Sequence, residues 1–150
     1  WEAGHRVPFF ARWPGVIEPG SKCARTTAHV DLFATCAEIT GAKLLDDVAE
    51  DSFSWLPLFR GGDWAKPRAP VINHSAAGIF ALRSGKWKLV AGNGSGGREA
   101  PKGKPFGKPY RLFDLSSDLG ERNDLAKAKP DLVGKLTSQL VAIRASGRSR

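Results

Sequence analysis

Three short runs of partly alternating side chains in the second half of the chain restrict its fold more than any other feature. They are Gly78 to Arg83, Lys86 to Ala91, and Tyr110-Arg111-Leu112-Phe113-Asp114-Leu115. Apolar and polar residues alternating with a period of two are what a sheet with one covered face requires. Ser84-Gly85 between the first two runs is a good two-residue hairpin turn. Val71 to His74 adds a further strand-like run. Pro130 then opens a final helix at its favoured first-turn position, with Leu132, Val133, Leu136, Leu140 and Ile143 as its buried stripe. Strands followed by a helix, rather than alternating with helices, give an α+β reading: a small antiparallel sheet packed by a C-terminal helix.

The first half reads differently. Val7 to Trp13 is an apolar run bounded by Pro14-Gly15, the pattern of a largely buried strand ending in a turn. His29 to Gly41 is predicted helical, with Leu32, Phe33, Cys36, Ala37 and Ile39 on one apolar face and Gly41 as the stop. Asp31 falls in its first turn, where it suits the helix dipole. Ser52 to Phe59 is a short helical turn closed by Gly61-Gly62. The chain therefore divides into residues 1–62 and 63–150. Gly92 to Pro109 has no periodicity and is long for a hairpin connection, a combination typical of functional or disordered loops.

The 150 residues suffice for a sizeable core, and a net charge of +8 favours anionic partners: nucleic acid, acidic membrane surfaces, or sulfated and carboxylated polysaccharides. Arg98, Lys102, Lys104, Lys108 and Arg111 concentrate that charge in a segment whose one acid is Glu99. No run of about 18 apolar residues is present to span a membrane. A chain without methionine, even at position 1, is expected to be a piece of a longer protein. Cys23 and Cys36 fit neither a metal pattern nor a disulfide framework. Cys36 reads as a small buried hydrophobe, and pairing of the two is left open.

A search for catalytic patterns returns mostly negatives. No phosphate-cradling glycine loop, G-x-S-x-G elbow, H-E-x-x-H or C-x-x-C occurs. His5, His29 and His74 lack ligand spacing, and Asp46-Asp47 with Glu50-Asp51 read as surface acids.

Five segments nonetheless carry a resemblance. WEAGHRVPFFARWPGVIEPGS is similar to the segment W/Y-E-G-G-x-R-V-P-F-x-x-R-W-P-G-x-I-x-P-G of sulfatases. TTAHVDLFATCAEITG resembles the S-H-V-D-L-x-P-T helix that follows, and DSFSWLPLFRG resembles D-G-x-S-L-L-P-L-L-x-G. ALRSGKWKLV matches the hairpin A-I-R-x-G-x-W-K-L-I, and YRLFDLSSDLGERNDLA matches E-L-Y-D-L-x-x-D-P-G-E-x-x-N-L-A. The motifs follow the family's order over nearly the whole chain. Ala3, Ala34 and Leu119 depart from it, replacing a glycine and two prolines, changes of backbone geometry more than of chemistry.

The resemblance implies the C-terminal part of an alkaline-phosphatase-like α/β enzyme that hydrolyses sulfate esters. Residues 1–62 would be the tail of its large catalytic domain and 63–150 its small domain. The family's formylglycine nucleophile and carboxylate-held calcium would lie outside this chain, as would its catalytic lysine, so the piece alone is expected to be inactive. His74, in Val-Ile-Asn-His-Ser, resembles a segment that many members place near the substrate sulfate. His5 and Arg6 are further candidate substrate contacts. The expected partners are a sulfated small molecule or polysaccharide and the N-terminal part of the same protein, with no nucleic acid or membrane. The expected location is periplasmic or secreted. The competing reading is a non-catalytic basic module for polyanions, sulfated glycan or nucleic acid, suggested by the aromatics and cations interleaved from Lys104 to Arg111.

Overall fold

The computed structural model describes residues 2–150. After a 3₁₀ turn at Glu2–Gly4 come helix α1 (Asp31–Thr40), the single-turn α2 (Leu56–Phe59), strands β1 (Val71–His74), β2 (Phe80–Ser84), β3 (Trp87–Ala91) and β4 (Arg111–Asp114), and helix α3 (Pro130–Ser146). The strands form one antiparallel sheet in the order β1-β2-β3-β4. The α+β expectation and its strands are therefore met. The two-residue turn is Gly85-Lys86, one position later than the expected Ser84-Gly85: Ser84 still pairs with Trp87 as the last residue of β2, and Gly85 supplies the positive φ of 56° that the tight turn needs.

Two compact units divide the chain: residues 2–7 with Pro70–Ala145, and Pro8–Ala69 with Ser146–Arg150. In the first, strand register sets two faces. Leu82, Leu89 and Leu112 stand opposite one another on one face, where Leu136 and Leu140 of α3 cover them. All five leucines are buried, each contributing about 1.5–3 kcal/mol by leaving water. The other face carries Ala81, Val90 and Phe113, joined by Ile79 and Leu115. After β4 the chain is tied back by Asp124, whose Oδ1 accepts from the Leu112 amide at 3.0 Å. Asp118 accepts from the Arg122 and Asn123 amides, which holds its carboxyl below the usual carboxylate range.

In the second unit Asp31 is the hub. Its carboxylate is fully buried and accepts from the Ala28 and Phe53 amides, the Trp55 indole and the Arg68 guanidinium, the last at 2.6 Å. Ser52 Oγ donates to the Val30 carbonyl and accepts from the Ala34 amide. Thr35 Oγ1 accepts from the Trp55 amide. The last residues join the same unit, Ser149 donating to Asp51 and Arg150 to the carbonyls of Leu45 and Val48.

Two expectations are corrected here. Val7 to Trp13 belongs to no ladder and no helix, and Phe10 is 91% exposed. A strand needs a neighbour to pair its amides and carbonyls, and none lies beside this segment among the described residues. The second correction concerns α1, which turns the face Asp31, Ala34, Thr35 and Ala37 inward. Leu32, Phe33, Cys36 and Ile39 are exposed instead. Asp31 takes the Phe53 amide, the Trp55 indole and Arg68, and Thr35 takes the Trp55 amide, and these bonds fix the helix rotation. Cys23 is likewise exposed, and both cysteines are free.

Candidate functional site

On the sheet face opposite α3, the 3₁₀ turn at Glu2–Gly4 is held by an ion-pair network. Glu2, Lys88 and Glu121 are all more than nine-tenths buried. Lys88 Nζ stands 2.6 Å from Glu121 Oε1 and 3.2 Å from Glu2 Oε2, while Glu2 Oε1 pairs with Arg83. The Glu2 amide donates to Glu121 Oε2 at 2.8 Å. Two acids and two bases balance, the condition under which charges tolerate burial. Glu121 occupies the left-handed region, φ 53°, which a non-glycine residue adopts at a cost of about 1–3 kcal/mol. Its bonds to Lys88 and Glu2 hold it there. All four charges come from segments that carry the sulfatase resemblance, and the fold brings them to one point.

Beside this network lies a pocket of about 40 Å³. About 10–15 Å³ of such space already holds one water, so the pocket has room for a small polar group. Its lining includes His5, Asn73, His74, Ser75, Lys88, Ser95 and Arg111. His5 follows directly from the clamped turn, its amide donating to the Glu2 carbonyl at 2.9 Å. Partial burial, followed by the neighbouring Lys88 charge, lowers the His5 pKa below 6.5 and favours the neutral ring at neutral pH. His74 ends β1, its Nδ1 lying 3.1 Å from the Ser75 carbonyl. A carbonyl only accepts, so Nδ1 is the donor in this contact. Arg111 at the start of β4 donates from Nη2 to the Gly94 carbonyl at 2.6 Å. Ser75 adds a hydroxyl that accepts from the Ile79 amide and keeps its proton to donate, whereas Ser95 Oγ already donates to the Glu99 carbonyl at 2.6 Å. With the cationic Lys88 and Arg111, the lining suits an anionic or polyhydroxylated group.

Of the three residues singled out in the sequence, His5 and His74 meet in this pocket although 69 positions apart. Arg6 is exposed and not part of the lining. Sequence reasoning did not find Lys88 or Ser95, and it named Arg111 only as one cation of the basic segment, not as a companion of His5 and His74. A signal for Lys88 existed: it shares strand parity with Val90, so a charge at that position faces a covered surface and must have partners.

Comparison with known proteins gives this arrangement a family. No protein-family model matches the chain. The N-acetylgalactosamine-6-O-sulfatase of Bacteroides thetaiotaomicron is 30% identical over 146 residues, covering 96% of this chain and 28% of that protein. The steryl-sulfatase of Mus musculus is 31% identical over 167 residues, covering 99% of this chain and 26% of that protein. The chain belongs to the sulfatase family. A solved Bacteroides thetaiotaomicron structure, described in connection with the metabolism of multiple glycosaminoglycans, matches with a TM-score of 0.79 and 29% identity. That match covers 96% of this chain and 30% of the solved one, and the alkaline-phosphatase-like architecture follows from such neighbours. The chain thus spans little more than a quarter of the relatives it matches.

The residues present do not fit the calcium site of the family. Among the described residues no three His, Cys, Asp or Glu side chains gather so as to hold a metal ion. Asp31 is already engaged by Arg68 and three further donors. Neither cysteine stands in a C-x-P-S-R motif that could yield formylglycine. No helix among the described residues is long and apolar enough to cross a membrane.

Proposed function

We propose that this chain is the C-terminal part of an exported, periplasmic or secreted, sulfatase, and that its pocket receives part of a sulfated substrate. Nucleophile and metal, formylglycine and calcium by family resemblance, would come from residues outside this chain, and the piece alone would be inactive. The observation that carries the reading is the meeting of His5 and His74 with Lys88, Arg111 and the Ser75 hydroxyl in one small pocket. With Nδ1 donating to the Ser75 carbonyl, His74 has Nε2 available for a hydrogen bond to the substrate. His5, kept neutral, supplies a hydrogen bond without adding charge beside Lys88. Arg6, away from the lining, is left as a contact to a more distant part of the substrate.

The test is His74→Ala in the full-length protein, assayed on a small monosulfated aryl ester. The expected outcome is a fall in kcat/KM of about 10- to 100-fold, the size of about 1.5–3 kcal/mol for a hydrogen bond to a charged group. Unchanged kinetics would remove His74 from the substrate site.

A further inference from the structure

The connection from β3 to β4, residues 92–109, is built as a fixed shape. Gly92 bridges to Pro105, and the Phe106 amide returns to the Ala91 carbonyl at 2.8 Å. The Ser95 and Gly96 amides donate to the carbonyls of Pro101 and Lys102. Asn93 ties two further points, its Oδ1 accepting from the Lys104 amide and its Nδ2 donating to the Lys108 carbonyl. At the centre the two arms cross at Gly94 and Gly103. A Cβ on Gly94 would stand 2.3 Å from the Gly103 amide nitrogen, so this crossing requires glycine.

The frame presents Arg98, Lys102, Lys104 and Lys108 to solvent, with Glu99 the one acid among them. Among the described residues none of the four cations forms an ion pair with a carboxylate. Ser95, at the base of the frame, also lines the pocket, as does Arg111 immediately beyond it. Holding like charges in a fixed array costs self-repulsion that an anionic ligand relieves.

The aromatics of the segment decide which anion. Phe106 packs on Phe80, ring centroids 5.7 Å apart, and the Arg144 guanidinium covers it at 4.6 Å. Tyr110 packs against the leucine core. Neither is displayed as the open ring on which nucleic-acid bases stack. We infer that residues 92–109 are a cationic platform extending the pocket, which binds sulfate or carboxylate groups on the neighbouring sugars of an anionic polysaccharide chain. This rests on the pocket reading, since the platform begins where the pocket lining ends.

The experiment is association of the full-length protein with immobilised heparin, followed from low salt to 1 M NaCl. Two variants are compared: Lys102→Gln/Lys104→Gln/Lys108→Gln, which removes charge from an exposed surface, and Gly94→Ala, which breaks the crossing and keeps every charge. Both are expected to associate about tenfold more slowly at low salt, with the difference vanishing at 1 M, where screening acts within about 3 Å. Wild-type association in the triple-lysine variant overturns the platform. Full binding by Gly94→Ala alone reduces it to unstructured charge and overturns it equally. Displacement of heparin by single-stranded DNA at matched charge would overturn the choice of partner. Failure of the pocket reading shows elsewhere, as unchanged turnover of the monosulfated ester by His74→Ala.

Discussion

Asp31 shows how one residue can set the rotation of a helix. As the first residue of an amphipathic segment it suggests a dipole partner, solvated and worth a few tenths of a kcal/mol. In the fold its carboxylate is fully buried and engaged by Arg68 through Nε at 3.0 Å and Nη2 at 2.6 Å. Arg68 lies 37 positions away, its side chain only 6% exposed and stacked on Phe53. Removing one partner of a buried pair leaves the other charge uncompensated, at a cost of about 3–5 kcal/mol. Arg68→Ala should therefore lower the unfolding free energy measured by urea titration by that amount, seen as a lower midpoint at an unchanged slope. Arg68→Lys should recover only part, since an ammonium cannot reproduce the two-nitrogen contact. A loss below about 1 kcal/mol in Arg68→Ala would show that water solvates Asp31 freely.

At the scale of elements, α1 and the 92–109 connection depart from sequence patterning in opposite ways. α1 has the apolar periodicity expected of a packed helix, yet Leu32, Phe33 and Ile39 are 52%, 56% and 43% exposed. With Phe9 and Phe10 also exposed in the same unit, this much apolar surface is the mark of a face that meets another structure. Given that this chain spans about a quarter of its sulfatase relatives, we propose that this surface packs against the rest of a longer protein. The isolated chain should accordingly bind an apolar-surface dye and self-associate on sizing columns. Leu32→Glu/Phe33→Glu should reduce both without lowering stability, and a wild-type chain that is monodisperse and dye-silent would contradict the assignment. The 92–109 segment, by contrast, has no periodicity and is nevertheless held throughout, because its order comes from glycine crossings and side-chain bonds to backbone.

At the scale of the molecule, the charge network joins positions that sequence holds far apart: Glu2, Arg83, Lys88 and Glu121. It holds the turn carrying His5 against the sheet that carries His74. Lys88→Met keeps the aliphatic stem and leaves two buried carboxylates with Arg83 alone, so we expect a loss of about 3–5 kcal/mol. The same substitution removes a positive neighbour of His5, so the His5 pKa should rise in an NMR titration. The wild-type pKa is lowered, so the unfolded chain takes up the His5 proton first. The stability from this residue is full above pH 6.5 and declines as pH falls toward the folded value. In Lys88→Met that acid-side decline should shrink. An unmoved His5 titration would separate the pocket from the network.

The sequence by itself determined the α+β class, a tight hairpin joining β2 and β3 (though not its register, which the structure shifts by one residue to Gly85-Lys86), the buried stripe of α3 and the family, because each depends on local pattern: strand alternation, helical spacing, turn chemistry and ordered motifs. It also pointed to His5 and His74. Only the tertiary structure decided that these two share a pocket while Arg6 stands apart, and that Val7 to Trp13 forms no ladder. It alone turned the polar side of α1 inward and gave Lys88 two carboxylates. Those outcomes depend on which distant groups satisfy a buried charge or an unpaired amide, and local patterning holds no record of partners 37, 69 or 119 positions away.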